Sequence, residues 1–390
     1  MSSDGYLIDI SRLLDRISRG RLPTGIDRVC LAYIARWGGR SRAVIHRDNW
    51  RRLVSYADSQ TLFGWLQDPP KDLARRVNWL IARACIPPWP SQDAKGALSF
   101  YLGHSGLDLA GFPAWLKATR QRPVYFVHDL IPLTHAEYCR PEEEQRHAVR
   151  MTAMLQSGAG IIGNSQATLD ELAHVAQARG LPMPPSVVAL LASASLAQAA
   201  PQSAPPLAAP YFVVLGTIEP RKNHLLLLNI WRELASRLGD ATPHLVLIGQ
   251  RGWECENVVD MLERCAPLRP FVHEIPACGD AELAAYLHHA RALLFPSFVE
   301  GYGMPLVEAL ALGTPVIASD LGVFREVAAD VPDYLSPIDA LGWIQAIDDY
   351  TQQAPEHPRR TAQLQRLARY TPPSWDAHFV QVEALLERLA

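Results

Sequence analysis

Short apolar runs, each trailed by a longer stretch of helical periodicity, recur along the whole chain. Strands are predicted at Tyr6–Ile10, Ala43–His46, Ala97–Leu102, Val124–Val127 and Gly160–Ile162. A second series follows at Tyr211–Ile218, His244–Ile248, Val272–Ile275, Ala292–Phe295 and Val316–Ala318. Helices fall between them. Ile26–Trp37 carries Ile26, Val29, Cys30, Tyr33 and Ile34 on one face, and Glu142–Leu155 and Gln166–Ala178 fill later gaps. Apolar strands alternating with amphipathic helices predict an α/β architecture, with parallel sheets covered by helices on both faces. Between the two series lies Ala192–Pro210, ASASLAQAAPQSAPPLAAP, rich in Ala, Pro and Ser and nearly free of charge. It reads as a linker. The pattern therefore divides into a first domain over residues 1–200 and a second over residues 206–370. Residues 371–390 form a helix with Ser374 as its cap and an apolar stripe of Trp375, Phe379, Val382, Leu385, Leu386 and Leu389.

Composition narrows the class. A chain of 390 residues, 48% hydrophobic and 20% charged, is ordinary globular protein of two-domain size. A net charge of −3 argues against a nucleic-acid binder, which would carry a strongly basic domain. The six cysteines form no CxxC pair and read as free thiols in a reducing compartment, not as disulfides or a zinc site. The N-terminus lacks a signal peptide, and no apolar run reaches the roughly 18 residues of a membrane span. A cytoplasmic protein is expected. Arg36, Arg40, Arg42, Arg47, Arg51 and Arg52 cluster with Trp37 and Trp50, and Lys71, Arg75, Arg76, Arg83 and Ile86–Pro90 follow. This reads either as a solvated basic face or as a contact for the inner membrane surface or a diphosphate-lipid acceptor.

The chemistry concentrates in Ala292–Asp320. After the strand, Glu300-Gly301-Tyr302-Gly303 is a loop with two residues free to take positive φ. Pro305 suits the first turn of a helix, and Gly313 ends that helix ahead of Pro315. Such a loop aims backbone N–H groups and the positive end of a helix dipole at one spot, which suits a phosphate. Glu300 and Glu308 flank it, seven residues apart. Carboxylates repel a phosphate, so sugar hydroxyls are their natural partners.

EGYGMPLVE, from Glu300 to Glu308, with FPS before it and ALGTPVIASD after it, resembles the E-x7-E motif of retaining family 4 glycosyltransferases of the GT-B fold. The resemblance implies two Rossmann-like domains facing a cleft, with the last helix crossing back to the first domain. It implies that Glu308 binds the ribose of a nucleotide sugar and Glu300 a hydroxyl of the transferred sugar. Gly301, Tyr302, Gly303, Met304, Pro305 and Leu306 would meet the sugar and diphosphate. Gly216-Thr217-Ile218-Glu219-Pro220-Arg221-Lys222-Asn223 opens the second domain, and its EPRKN resembles the family's diphosphate-binding turn. Cations at a helix start oppose the dipole, so Arg221 and Lys222 favour an anionic ligand, with Gly216 beside them. Where some members carry an Arg after that glycine, Thr217 stands here. The loops Gly249–Trp253 and Ile275–Asp280 border the nucleotide by position alone.

In the first domain, Thr24–Arg28 (TGIDR) occupies the place of the family's glycine loop, which implies a donor contact at Gly25. A plain turn capped by Thr24, with Asp27 in the first helical turn, is the other reading. His128-Asp129 and Asn164-Ser165 each follow a strand directly, where open α/β sheets bind ligands. His128 within HDLIP resembles a residue of mannosyl- and related transferases that faces the donor phosphate or the acceptor. It is a catalytic candidate, and an acceptor-binding one together with Asp129 and Asn164. A packed or capping His128, and Ser165 as a helix cap, are the alternatives.

The implied reaction moves a hexose, mannose or a related sugar, from a nucleoside-diphosphate sugar to a polysaccharide or lipid-linked oligosaccharide with retention. HDLIP and EPRKN lean toward a GDP-linked donor. No cofactor or metal is implied, since Arg221, Lys222 and the helix dipole can meet the leaving diphosphate. With front-face attack, Glu300 positions the sugar and need not be a nucleophile. A UDP-sugar-dependent transferase, a GT-B sugar-nucleotide epimerase and a non-catalytic sugar-nucleotide-binding protein are the competing readings.

Overall fold

The computed structural model describes residues 5–21, 25–47, 50–84, 91–193, 204–352 and 355–390. Thr24, Cys85, Ile86–Pro90 and most of the linker lie outside them. The chain divides into two units. The first comprises Met1–Thr134, Pro141–Leu191 and Trp375–Ala390, and the second His135–Arg140 and Ala192–Ser374.

The first unit runs β1 (Leu7–Asp9), α1 (Ser11–Ser18), α2 (Gly25–Trp37), β2 (Arg42–Arg47), β3 (Trp50–Leu53), α3 (Tyr56–Gln67), α4 (Leu73–Ala84), β4 (Leu98–Tyr101), α5 (Phe112–Thr119), β5 (Arg122–Val127), α6 (Ile131–Thr134), α7 (Glu143–Ser157), β6 (Gly160–Gly163), α8 (Gln166–Ala178) and β7 (Ser186–Val188). Its sheet has the order β3-β2-β1-β4-β5-β6-β7. All pairings are parallel except β3 on β2, which corrects the expected wholly parallel sheet. Alternate residues of a strand face opposite sides. Tyr101 and Tyr125 thus join Phe112, Met151 and Leu155 on one side. Phe100 and Phe126 meet Tyr33 of α2 on the other, at ring separations of 5.3 and 6.5 Å.

The second unit runs β8 (Tyr211–Leu215), α9 (His224–Leu238), β9 (His244–Ile248), α10 (Glu256–Arg264), β10 (Val272–Ile275), α11 (Asp280–His289), β11 (Leu293–Phe295), α12 (Met304–Ala311), β12 (Val316–Ser319), α13 (Gly322–Ala328), β13 (Asp333–Leu335), α14 (Ala340–Thr351) and α15 (Pro358–Leu367). Its parallel sheet has the order β10-β9-β8-β11-β12-β13. Phe212, Val214, Leu245, Leu247, Leu294 and Ile317 pack against Leu227, Leu228 and Trp231 of α9 and Trp343 and Ile347 of α14. Each such side chain contributes about 1.5–3 kcal/mol by leaving water.

Helix α16 (Trp375–Leu389) belongs to the first unit. Five of the six residues of its expected stripe are buried, Trp375 being half-buried. Phe379 packs 5.0 Å from the Trp37 ring, and Tyr33 Oη lies 3.0 Å from His378 Nε2. The first unit is therefore completed by residues far away in sequence.

Candidate functional site

In each sheet the first strand of its series lies inside the order, with later strands added on both sides. Ligands of open α/β sheets sit beyond the carboxyl ends of the strands at this switch point. In the second unit that end of β8 carries Gly216, Thr217, Ile218 and Glu219, then a turn of 3₁₀ helix at Pro220–Lys222. Ile218 pairs with the following loop, its N–H donating to Gln250 O and its carbonyl accepting from Gly252 N, each at 2.9 Å. Gly249 permits this, because a Cβ there would stand 2.0 Å from Gly216 O. Asn223 takes the left-handed conformation (φ 56°) that Asn tolerates. Its Nδ2 donates to Pro296 O at 3.2 Å and Pro337 O at 2.9 Å. The turn is thus fastened to the loops after β11 and β13.

Four charged side chains meet there. Glu300 Oε2 lies 2.6 Å from Arg221 Nη1, and Glu300 Oε1 lies 2.5 Å from Lys222 Nζ. Ser297 Oγ donates to Glu300 Oε1 at 2.7 Å. Arg221 Nη2 reaches Glu219 Oε1 at 2.6 Å. The side chains of Glu219 and Glu300 are 3% and 7% exposed and that of Lys222 is 10% exposed, so water screens these pairs poorly. Burial opposes ionisation of Glu300, but Arg221 and Lys222 outweigh it and hold its carboxyl down to about 2. For Lys222 the balance tips the other way. Burial lowers its pKa by more than Glu300 raises it. Burial also raises the pKa of Glu219, against the pull of Arg221 and Lys222.

Two helices begin beside this quartet. No side chain caps α9 at Asn223 or α12 at Gly303. Gly303 (φ 99°) is required, since a Cβ would come 2.6 Å from the Phe324 ring. The arrangement offers an anion two cations and two helix starts, and offers hydroxyls the carboxylate of Glu300.

The structure thus brings Glu300, Arg221, Lys222 and Gly216 together. Gly301, Met304 and Pro305 are half-buried along the same loop, and Tyr302 and Gly303 are buried. Glu308 is 6% exposed on α12. Leu306 is fully buried, and its N–H donates to Gly303 O at 3.0 Å in the first turn of α12. Glu219 and Ser297 were not singled out from sequence, although both stand within the quoted segments EPRKN and FPS.

The first-unit candidates fall differently. His128 is 6% exposed, with Nε2 2.8 Å from Leu102 O, and burial pushes its pKa down to about 4. Asn164 is 2% exposed and donates through Nδ2 to His128 O at 2.7 Å. Asp129 Oδ1 accepts from Ile131 N at 3.2 Å at the start of α6. Ser165 caps α8, accepting from Thr168 N at 3.1 Å. His128 Nε2, Asp129 Oδ1 and Asn164 Nδ2 thus each meet neighbouring backbone. Gly25 starts α2, and Asp27 beside it is buried between Arg12 at 3.2 Å and Arg16 at 3.0 Å.

The basic stretch is mostly exposed: Arg36, Arg40, Arg47, Lys71, Arg75, Arg76 and Arg83 face solvent, Arg42 and Arg52 are half-buried and Arg51 is buried. Arg51 is 5% exposed, donates to Gly106 O at 2.7 Å and lies over the Phe112 ring. Arg42 donates to Val54 O and Ser91 O, and Arg36 pairs with Glu383. Arg75 and Arg76 share Asp72, and Arg83 pairs with Asp58. Among the described residues no helix is long and apolar enough to cross a membrane, and no group of three or more His, Cys, Asp or Glu could hold a metal ion.

Two parallel-sheet Rossmann-like units, the second bearing an acid–cation cluster at its switch point, define the GT-B fold. The Anabaena Alr3699/HepE protein, in a crystal structure with UDP-glucose, shares it at a TM-score of 0.69 and 14% identity, over 98% of this chain and 99% of that one. Residues 209–353, within the second unit, match the profile of the Glycosyl transferases group 1 family. The serotype-specific mannosyltransferase WbdA of Escherichia coli is 28% identical over 253 residues, covering 60% of this chain and 31% of the relative. The O-antigen chain mannosyltransferase B of Escherichia coli is 31% identical over 168 residues, covering 43% of this chain and 42% of the relative. The chain spans less than half the length of these curated relatives.

Proposed function

We propose that the chain is a retaining, metal-independent glycosyltransferase that moves mannose or a related hexose from a GDP-linked sugar to a polysaccharide or lipid-linked oligosaccharide. The observation that carries this reading is the buried Glu300 held between Arg221 and Lys222 beside two helix starts without side-chain caps. Glu300 supplies the negative charge that both cations need. An arriving diphosphate can take that place, turning Arg221 and Lys222 toward the leaving group and freeing Glu300 to accept a sugar hydroxyl. Glu308 on α12 would then hold the ribose. The mannosyltransferase names of the relatives support mannose, and their O-antigen and serotype titles support a bacterial surface polysaccharide as acceptor. Contact with the inner membrane surface would fall to α4 in this reading, where Trp79 is 61% exposed beside Arg75, Arg76 and Arg83.

A UDP-linked donor is the second reading, favoured by the UDP-glucose complex of the Anabaena protein. Thermal-shift titration with GDP- and UDP-sugars separates the two, and stabilisation by GDP-mannose above UDP-glucose is expected. Incubation with the stabilising donor should release diphosphate, unchanged by EDTA. A changed sugar without transfer would indicate an epimerase, and no turnover of any donor a binding protein.

A further inference from the structure

The first unit has its own recess at the carboxyl ends of β1, β2 and β4, where the sheet order switches sides around β1. Asp9, Arg12, Asp27, His46 and Ser105 line it. The reaction as described above uses none of them. One atom there lacks a protein partner among the described residues. Asp9 Oδ1 accepts from Ser11 N at 2.9 Å, but the buried Asp9 Oδ2 accepts no hydrogen bond. A carboxylate oxygen left so is costly, by about 1–3 kcal/mol. His46 Nε2 stands 3.9 Å from it, too far for a hydrogen bond. His46 is held in that place. Its N–H donates to Ser11 Oγ at 2.8 Å, and its ring lies so close to Gly106 (φ 78°) that a Cβ there would stand 2.4 Å from it. Gly106 is in turn fixed by Arg51, which donates to its carbonyl at 2.7 Å.

An oxygen placed between Asp9 Oδ2 and His46 Nε2 can sit about 2.8 Å from both, the usual O–H···O spacing. It must donate to the carboxylate and exchange a second hydrogen bond with the imidazole, which a hydroxyl does and an anion does not. Charge points the same way. Asp9 and Asp27 balance Arg12 and Arg16, so the recess attracts no net anion. The geometry points to a subsite in which Asp9 and His46 together bind one hydroxyl of a neutral sugar, the terminal unit of the acceptor glycan. The identity of the ligand rests on the transferase reading, whereas the binding of a sugar hydroxyl does not.

The test is saturation-transfer NMR on the full chain with methyl α-D-mannopyranoside, methyl α-D-glucopyranoside and methyl α-D-galactopyranoside. At least one should bind saturably, and Asp9→Asn and His46→Gln should each weaken it by about tenfold or more while nucleotide binding stays at wild-type strength. ¹⁵N-histidine spectra of the wild type keep the test open if a variant fails to fold, because the His46 ring signals must move on titration. Binding of none of the glycosides, equal binding in both variants, or a His46 signal that stays still would overturn the subsite. A chain that binds glycosides here but cleaves no nucleotide sugar keeps the subsite and loses the transferase reading. Transfer with an unchanged acceptor KM in both variants does the reverse.

Discussion

Glu300 carries a charge in surroundings that would neutralise a lone carboxyl, and chiefly Arg221 and Lys222, with the Ser297 hydroxyl, keep it ionised. The consequence for pH has a definite sign. Its folded-state pKa is depressed from 4.5 to about 2, so its contribution is complete above pH 4.5 and is lost as pH falls through about 2. The gross contribution is about 3 kcal/mol, part of it offset by the desolvated Lys222. Acid unfolding followed by circular dichroism should show a loss between those pH values in the wild type that Glu300→Gln lacks. Lys222→Ala should raise the barrier to turnover by about 2–4 kcal/mol, as loss of one preorganised donor does; wild-type kcat in that variant would remove the lysine from the mechanism. Glu219 acts through Arg221. Glu219→Ala should lower kcat by about tenfold, roughly 1.4 kcal/mol, leave KM for the nucleotide sugar nearly unchanged, and be partly rescued by Glu219→Asp. Arg221 and Lys222 were legible in the sequence because cations at a helix start favour an anionic ligand, and Glu300 through its glycine-bearing loop and the E-x7-E resemblance. Glu219 was not, because its role depends on where the Arg221 side chain turns.

Among the elements, those built from apolar runs were the readable ones. Strands β8 to β12 and helices α2, α7 and α8 lie within a few residues of the boundaries their periodicity indicates. Helix α1 and strands β3, β7 and β13 escaped. SRLLDRIS buries little beyond Leu13 and Leu14, and WRRL buries an arginine whose partners are Gly106 O and the Phe112 ring. Neither partner is local, so no window of sequence encodes the strand. The same dependence on distant backbone makes one glycine decisive. Gly249→Ala forces a Cβ into Gly216 O, and it should destabilise the second unit by about 2 kcal/mol or more, measured as a lowered denaturation midpoint with the first unit unaffected.

At the scale of the molecule, the division into two α/β units followed from the two series of strands and the uncharged linker between them. The return of α16 to the first unit did not follow from its stripe, which says only that some apolar surface receives it. Resemblance supplied that surface. Phe379→Ala should cost about 3–5 kcal/mol of first-unit stability, read from urea unfolding of the full chain. Burial of Phe379 against Tyr33 and Trp37 also sets an order of events during synthesis. The ribosome makes the part of this chain up to residue 191 before α16, yet the groove for α16 stays unfilled until Leu389 has been added. The lobe translated second can therefore close before the lobe translated first, and for that interval the nascent chain shows Tyr33, Trp37 and Phe100 to whatever chaperone stands at the tunnel exit.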